Sequence, residues 1–397
     1  MGETGAVAWA RRNLFGSVAD SIATVVGGTV LLLAAFGLLQ WIFTGAHWEQ
    51  VWNNLKLFAV YRYPRELLWR PFAIIGMIMF LLGLSASGSR SDANVIIRGV
   101  FWWFFFGVGV LGVVGLLYWP SVRFGWAATA VAGLVGLAIG AAVPAVKRSL
   151  GWLWGASVVV AFVLLYGVFE GGPLRHVETR VWGGFLLTMV LSVVGIVVSF
   201  PLGILLALGR RSKLPAIKWA STAFIEVVRG APLITWLFIA SLLVPLLLGI
   251  SDPDRISALT RALVAVTLFS AAYMAENVRG GLQAVPKGQE EAARALGLSG
   301  WQTTLLIVLP QALRAVIPAI VGQAIGLFKD TSLVFIVGLF DFFNIAGVVA
   351  TQPASLLVPG GIRLELSLLL VVVYWFFAYR MSVASRQLEA QLGVGTR

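Results

Sequence analysis

The sequence predicts an all-α, polytopic membrane protein that crosses the bilayer about ten times. Hydrophobic residues make up 59% of the 397-residue chain and charged residues only 12%, and the mean hydropathy is +0.92. Apolar runs of about 18 residues, long enough to span the hydrocarbon core as a helix, recur along the chain. These runs lack the alternation of a barrel strand, so helices are needed to satisfy their backbone groups in lipid.

Ten apolar runs define the expected spans, and the second is a little short. The first is interpreted as an uncleaved helix, because it is too long for the apolar region of a secretory signal and no clean cleavage site ends it. The runs cover roughly residues 21–44, 71–86, 97–118, 124–143, 151–169, 184–208, 221–250, 261–278, 305–328 and 364–382.

Composition and motif content exclude several functions. Cysteine is absent, which excludes disulfides, thiolate metal sites and a cysteine nucleophile. The two histidines, His47 and His176, lie in short polar connections, where a solvated loop residue is the simplest interpretation. The motifs G-x-x-x-x-G-K-[ST], H-E-x-x-H and G-x-S-x-G do not occur, so we expect no enzyme activity, metal site or cofactor on this chain.

Basic residues predict the orientation. The net charge of +12 is spread over short loops, which favours membrane topology and anionic lipid over nucleic acid as its explanation. With the loop at 279–304 on the cytoplasmic side, most basic loops also fall inside. The segment 45–70 carries four basic residues and falls outside. Either it is an exception, an interfacial stretch with Tyr61, Tyr63 and Trp69 at the headgroups, or an early helix is miscounted.

The chain divides near residue 175. Residues 1–175 contain five expected helices joined by loops with little polar content, whereas residues 176–397 contain every dense polar motif. The second part is therefore predicted to be the working core. In the first part, glycines at 107, 109, 112 and 115 and again Gly136 and Gly140 suit close contact between helices.

A short charged segment between apolar runs predicts a cytoplasmic helix. Pro286 ends the preceding helical region, the acids Glu290 and Glu291 suit a helix N-terminus, and Gly297 suits its end. Small residues between them would let another surface approach closely, and the charges could pair with it. The segment is thus a candidate docking helix, and periodicity alone leaves open a helix that rests on the bilayer.

The spacing around this helix resembles a known family. Residues 291–310 follow the pattern E-A-A-x3-G-x9-I-x-L-P, and further motifs follow the same order as in that family: R-G-G at 279, V-P-K-G-Q at 285, L-P-Q-A-L-R at 309 and K-D-T-S-L-V at 329. Together with E-V-V-R-G-A-P-L at 226, these resemble permeases of polar amino-acid uptake ABC systems. The resemblance spans roughly residues 180–390. The extra helices before it look like those of general L-amino-acid or glutamate, glutamine and aspartate permeases.

This resemblance implies a type I ABC importer permease core of five helices in the bacterial inner membrane. Its partners would be a pair of ATPase subunits that bind ATP and Mg, a second permease, favoured as a paralogue that gives a heterodimer, and a periplasmic amino-acid-binding protein. ATPase coupling would fall on the docking helix, at residues Glu290, Glu291, Ala292, Ala293, Leu296 and Gly297.

The tetrad Lys329, Asp330, Thr331 and Ser332 interrupts two apolar runs and predicts a substrate path. Ionisable groups at membrane depth are usually functional, and broken helices present free amides and dipole ends to ligands. For an amino-acid substrate we expect Asp330 to meet the ammonium, and the amides near Thr331 and Ser332, capping a following helix, to meet the carboxylate. A merely solvated helix end remains the alternative.

Other polar residues are weaker candidates for the substrate path. Glu226 and Arg229 lie a turn apart beside Gly230 and Pro232, in a helix expected to kink, and could pair with each other to seal a gate. Glu276 precedes the docking loop, and Gln323 is expected about one turn from the tetrad. A structural ion pair is the alternative for the first three.

A second class of protein, an ion-coupled secondary amino-acid transporter, could use intramembrane acids such as Asp330 and Glu226. Such a carrier has no use for a docking helix at this spacing. Its site would normally lie between two similar halves, and the sequence shows no obvious internal repeat. The importer subunit is therefore the predicted function.

Overall fold

The computed structural model describes residues 5–87, 92–118, 122–249 and 256–393. Within these ranges the regular elements are helices, with two isolated bridges that pair Phe169 with Arg175 and Gly184 with Asp341. The predicted all-α fold is confirmed. The long apolar segments form helices because only intrasegment hydrogen bonds satisfy their backbones in a bilayer.

Eight α-helices precede the predicted core. Short 3₁₀ helices extend or join some of them, at Arg65–Leu67 before α5 and at Pro144–Ser149 before α8. The helices are α1 (Ala6–Leu14), α2 (Val18–Gln40), α3 (Trp48–Asn53), α4 (Leu55–Val60), α5 (Trp69–Ala86), α6 (Asp92–Tyr118), α7 (Arg123–Ala142) and α8 (Leu150–Tyr166).

Twelve further α-helices follow. A π-helical segment, Thr303–Val308, joins α15 to α16, and a 3₁₀ helix, Thr331–Val337, continues α17. The helices are α9 (Gly184–Arg210), α10 (Pro215–Arg229), α11 (Leu233–Phe238), α12 (Val244–Leu247), α13 (Ala258–Ala284), α14 (Lys287–Ala295), α15 (Gly300–Gln302), α16 (Leu309–Ala315), α17 (Ile317–Asp330), α18 (Phe342–Ala350), α19 (Pro353–Leu356) and α20 (Arg363–Gln391).

The number of candidate spans is close to the ten expected. In the described part of the chain, eight helical segments are long and apolar enough to cross a membrane, and one bent pair of helices would make a ninth. The expected run at 97–118 falls within α6, which extends from Asp92 to Tyr118. The eight are Val18–Gly45, Arg65–Ala86, Phe124–Ala142, Ala145–Tyr166, Gly184–Arg210, Ala258–Ala284, Ile317–Val337 and Arg363–Gln391.

The bent pair lies where the sequence predicts a kink. α10 and the segment Leu233–Leu247 meet at 105°. Pro232 precedes α11 in an extended conformation. Proline has no backbone N–H and its ring disfavours a helical residue before it, so α10 ends at Arg229 and the chain changes direction.

Close helix packing in the N-terminal part depends on two of the predicted glycines. A Cβ at Gly136 would collide with the carbonyl oxygen of Phe80, and one at Gly140 with Ser87, because α5 and α7 lie in direct backbone contact. By contrast, in the described part of the chain nothing lies within 4 Å of such a Cβ at Gly107 or Gly109. The prediction of close contact is therefore confirmed for Gly136 and Gly140 and wrong for Gly107 and Gly109. A Cβ at Gly112 would make only ordinary contact, with Trp126 at 3.4 Å, and the side-chain surroundings of position 115 lie outside what the structure describes.

Changing Gly136 to alanine is expected to destabilise the N-terminal part, because the added methyl forces α5 and α7 apart. Overpacking of this kind costs about 1–3 kcal/mol. The thermal unfolding midpoint of the detergent-purified protein measures the effect. The matched control is Gly107→Ala, which adds the same methyl to open space. Equal midpoints for the two variants would contradict the packing argument.

The core is built around α9 and α13. Gly203 of α9 leaves room for the side chain of Met274 on α13, and the Ser270 hydroxyl donates to Ser199 Oγ at 3.1 Å between the same helices. Buried Leu191 of α9 and Val266 of α13 belong to one hydrophobic cluster. α9 has 27 residues, about 40 Å of helix, so its two ends define the two ends of the core.

The segment 45–70 lies at the Gly184 end of α9. Phe58 of α4 packs against Gly184, whereas Arg211, just beyond the other end of α9, pairs with Glu290 of the predicted docking helix. The segment is therefore at the end of the core opposite that helix. This placement favours the first alternative, a segment that is an exception to the charge rule, over a miscounted helix.

Candidate functional site

The predicted docking helix is α14, hereafter the coupling helix, and its C-terminus follows from one glycine. Gly297 has φ of +83°, a left-handed conformation that favours glycine. The Leu298 N–H donates to the Ala293 carbonyl at 3.2 Å and the Gly297 N–H to that of Arg294 at 2.9 Å. This is the Schellman arrangement, and it confirms that Gly297 ends the helix.

The coupling helix has one face toward the protein and one toward solvent. Ala293 is buried and the helix packs against the π-helical segment Thr303–Val308. Glu291, Ala292 and Gly297 are exposed, and Leu296 is 83% exposed. The face that carries Leu296 is therefore open to contact with another protein. Ala293, predicted to contact a partner, instead holds the helix on the core.

Polar bonds attach the coupling helix to two other helices. Arg211, at the end of α9, places Nη2 at 3.1 Å from Glu290 Oε1. Gln311 of α16 donates to Gln289 Oε1 at 3.3 Å. These bonds connect the coupling helix to the ends of α9 and α16.

Five charged side chains form a cluster at the same end of the core, hereafter the inner ion cluster. Its members come from the ends of α9, α10 and α13. Glu276 lies 3.5 Å from Arg210 and 3.6 Å from Arg229 and accepts from Arg279 Nε at 2.8 Å. Arg210 also pairs with Glu226 at 2.8 Å. Glu276 therefore joins all three helices.

The expected pair between Glu226 and Arg229 is wrong, because α9 and α13 supply each with another partner. Glu226 pairs with Arg210, and Arg229 pairs with Glu276 while its guanidinium lies 5.3 Å from the Tyr273 ring centroid. Three arginines face two carboxylates in the cluster, so it carries a net positive charge. Among the described residues, no hydrogen-bond partner faces the buried Nε of Arg229.

The tetrad does not begin a new helix with free amides. α17 ends at Asp330, but the chain continues as the 3₁₀ helix Thr331–Val337. The Thr331 N–H bonds to the Leu327 carbonyl, and its buried hydroxyl donates to the Phe328 carbonyl at 2.9 Å. The expectation that amides near Thr331 and Ser332 cap a following helix is therefore wrong, because the 3₁₀ helix continues α17 directly.

The remaining tetrad side chains differ in exposure. Lys329 is exposed, whereas Asp330 and Ser332 are half-buried. Gln323 is also half-buried, but it lies seven residues before Asp330, about 10 Å along the helix rather than one turn. A seven-residue spacing still places Gln323 and Asp330 on the same face of α17.

The predicted path residues fall into two groups. Glu226, Arg229 and Glu276 lie in the inner ion cluster, beside the coupling helix. The tetrad lies where α17 passes into the 3₁₀ helix Thr331–Val337, which leads to Asp341 beside the opposite end of α9. The structure therefore separates the two groups along the length of the core rather than joining them in one pocket.

A buried polar group near the tetrad was missed from the sequence. Asp341, fully buried, caps α18 by accepting from the Asn344 N–H at 3.1 Å. The Tyr374 hydroxyl donates to Asp341 Oδ2 at 3.3 Å. Burial raises the pKa of the Asp341 carboxyl in spite of the hydrogen bonds from Asn344. An aspartate before an apolar run was the available signal, since it is typical of a helix N-cap.

Helical spans, polar breaks inside them and an exposed coupling helix at one end define a multi-pass transport protein. The chain belongs to the family of binding-protein-dependent transport system inner membrane components, whose model matches residues 199–391. The coupling helix lies inside this match. The protein is therefore a permease subunit, a transport rather than a catalytic subunit, and the secondary-carrier alternative is not favoured.

Two relatives match along nearly the whole chain. The inner membrane amino-acid ABC transporter permease protein YhdY of Escherichia coli (strain K12) is 37% identical over 396 residues, covering 98% of this chain and 94% of its own length. The glutamate/glutamine/aspartate/asparagine transport system permease protein BztC of Rhodobacter capsulatus is 36% identical over 427 residues, covering 98% and 94%. The match thus includes the helices before the core.

A solved structure described as an amino acid ABC transporter with histidines is 26% identical to this chain, with a TM-score of 0.46. The likeness covers 52% of this chain and 92% of that one.

Proposed function

We propose that the protein imports polar L-amino acids across the bacterial inner membrane as the permease subunit of an ATP-driven ABC importer that works by alternating access. The observation that carries the proposal is the coupling helix, with its exposed Glu291 and Leu296 held on a Gly297 turn. The names of the two full-length relatives, which refer to amino acids or to glutamate, glutamine, aspartate and asparagine, support the substrate class.

The proposed partners follow from the family and the free surface. Two ATPase subunits, which carry ATP and Mg, would contact the exposed face of the coupling helix, so this chain needs no cofactor of its own. A second permease, favoured as a paralogue, would complete the translocation path. A periplasmic binding protein would deliver the amino acid to the outer end of the core.

Coupling would pass through the ends of α9 and α13. ATPase closure displaces the coupling helix, and its Glu290 carries Arg211 with it. The neighbouring Arg210 bonds Glu226 and Glu276, so the same movement strains the inner ion cluster. Rigid-body displacement of this kind is an established way to switch a transporter between states. We propose that the cluster closes the inner mouth until it is pulled apart.

Asp330 is the proposed contact for the substrate ammonium. Its carboxylate is half-buried in a span. An ionisable group at that depth is costly in free energy and usually has a function. Because the Thr331 amide is already bonded within the chain, the contact for the substrate carboxylate is left to another group.

Replacing Asp330 with asparagine is expected to weaken uptake without disturbing assembly. A lost charge-assisted hydrogen bond costs about 1.5–3 kcal/mol, which corresponds to a rise of roughly 10- to 150-fold in the apparent KM. Radiolabelled amino-acid uptake at equal membrane abundance measures it. Glu170→Gln, the same loss of a carboxylate at an exposed position before the core, is the control. An unchanged KM in the asparagine variant would return Asp330 to a structural role.

Affinity purification of the tagged protein in mild detergent tests the proposal as a whole. Mass spectrometry identifies the co-purifying chains, and ATP hydrolysis is assayed on the same sample. Recovery of an ATPase with a P-loop, together with a second permease, is expected. A partnerless, inactive protein that still restores amino-acid uptake in cells would contradict the importer and favour a secondary carrier.

A further inference from the structure

The N-terminal part contacts the outer end of the core through residues 47–61, hereafter the outer brace, which contains α3 and α4. Its Val51, Phe58 and Tyr61 are buried in one hydrophobic cluster with residues of α18 and α20. The Phe58 ring lies 5.7 Å from that of Phe342, edge to face. The brace is thus packed on α18 as part of a common core.

The brace also fits closely against the start of α9. A Cβ at Gly183 would collide with the Tyr61 side chain, and one at Gly184 with the Phe58 carbonyl oxygen. Tyr61 has φ of +55°, a conformation that is strained for a bulky residue and persists only where the surroundings impose it. The contact with α9 is therefore tight and specific.

Two polar ties secure the brace on either side of α18. The His47 N–H donates to Glu365 Oε1 at 2.9 Å, and Glu365, at the start of α20, is only 2% exposed. Gln352, which follows α18, donates to Asn54 Oδ1 at 3.0 Å. A hydrogen bond from a backbone N–H to an ionised carboxylate is strong, so Glu365 fixes the position of His47.

A continuous path of contacts leads from the brace to the tetrad. Phe58 packs on Phe342 at the start of α18. Asn344, two residues further on, donates from Nδ2 to the Ser332 carbonyl at 2.8 Å. The position of α18 on the outer end of α9 therefore sets the position of the 3₁₀ helix that follows Asp330.

We infer that the outer brace is a positioning element for transport, which keeps α18 attached to α9 throughout the cycle and so holds the tetrad in place. The inference rests on the proposed role of the tetrad in the substrate path. It gives the N-terminal part a role in transport, because the helices before the core then act on the tetrad through residues 47–61. Release of the brace is not a step of the cycle.

Crosslinking tests whether the brace stays attached. The chain has no cysteine, so the double variant Asn54→Cys with Gln352→Cys supplies the sole thiols, at side chains that touch in the structure. A short, reducible bis-methanethiosulfonate joins them in whole cells. Uptake of radiolabelled amino acid is expected to stay within about twofold of the untreated sample. Loss of uptake that a reductant reverses would overturn the inference, because the brace would then have to detach.

The variant Phe58→Ala tests the positioning effect. Its uptake rate is expected to fall about tenfold at equal membrane abundance, since the tetrad spends less time in its competent position. Crosslinking Asn54→Cys to Gln352→Cys in this variant is expected to restore most of the rate. Phe43→Ala, at a position 81% exposed, is the matched control and should keep full uptake.

A direct readout at the tetrad separates positioning from general stability. A single Ser332→Cys reports the surroundings of the tetrad by its rate of reaction with a small methanethiosulfonate, and Phe58→Ala is expected to change that rate. Unchanged labelling and uptake in Phe58→Ala would overturn the brace alone. If labelling changes but Asp330→Asn transports normally, the proposed substrate path fails instead.

Discussion

Replacing Gly297 with aspartate is expected to abolish the coupling of ATP hydrolysis to transport while the protein still inserts and assembles in the membrane. Gly297 has φ of +83° and nothing lies within 4 Å of its would-be Cβ. Aspartate is among the few residues that tolerate a left-handed backbone. The coupling helix therefore persists, but a charged side chain now projects from its exposed end, beside Leu296.

The effect is expected to be large because a docking surface tolerates an unpaired buried charge poorly. An ionised group left without a partner in an interface costs about 2–5 kcal/mol, enough to remove most functional contact with the ATPase. Uptake and ATP hydrolysis of the purified complex in lipid nanodiscs measure the loss together. In the aspartate variant, ATP hydrolysis is expected no longer to drive amino-acid uptake.

Two controls separate charge from backbone and position. Gly297→Asn keeps the same backbone tolerance without the charge and is expected to retain much of the coupling. Gly288→Asp adds the same charge in the first turn of the coupling helix and is expected to keep coupling. An acid is favourable at that end of a helix, and a Cβ there meets nothing within 4 Å among the described residues. Undiminished uptake in Gly297→Asp would defeat the claim that this face docks the ATPase.

The coupling helix was predictable because its determinants are local. Gly297 ends the helix through its own backbone conformation, and Pro286 precedes it as an extended N-cap. Both effects act within one turn of the chain, so the residue types alone indicate them. The same holds for Pro232, which predicts the bend between α10 and α11.

The inner ion cluster could not be predicted, because its partners are distant in sequence. The spacing of Glu226 and Arg229 favours a bond within α10, but α9 brings Arg210 to 2.8 Å from Glu226. Arg229 turns instead to Glu276 of α13. Which pair forms depends on how the three helices converge. The sequence alone does not give the distances between the charged side chains at their ends.

The tetrad was misinterpreted for a different reason. Thr331 suits a helix N-cap, but the same hydroxyl can donate to a carbonyl of the preceding turn, and here it bonds the Phe328 carbonyl. The two arrangements use the same residue types and differ only in backbone conformation. The charged break was therefore visible in the sequence, whereas its consequence for the amides was not.

Replacing Glu276 with glutamine is expected to uncouple transport by loosening the inner mouth. Glu276 bonds arginines from three positions, Arg210, Arg229 and Arg279, and its side chain is only 23% exposed. The amide keeps the shape but removes the negative charge, which leaves three guanidinium groups facing the single carboxylate of Glu226. Mutual repulsion then favours separation of the ends of α9, α10 and α13.

Loss of charge-assisted hydrogen bonds at such a site costs about 1.5–3 kcal/mol, so the closed inner mouth loses roughly 10- to 150-fold in its population relative to the open one. The expected result is continued ATP hydrolysis with at least a tenfold lower uptake per ATP, since the gate no longer closes between cycles. The complex in nanodiscs, assayed for both activities at one protein concentration, provides the ratio.

Glu178→Gln is the matched control. Glu178 also bonds an arginine, at 2.8 Å from Arg180, but both side chains are more than half exposed at the outer end. Exposed pairs contribute about 0–1 kcal/mol, so this variant is expected to transport normally. If Glu276→Gln kept the normal ratio of uptake to hydrolysis, the cluster would be a structural support for three helix ends. If the ratio falls only in Glu276→Gln, the position of the charge at the inner mouth is what coupling requires.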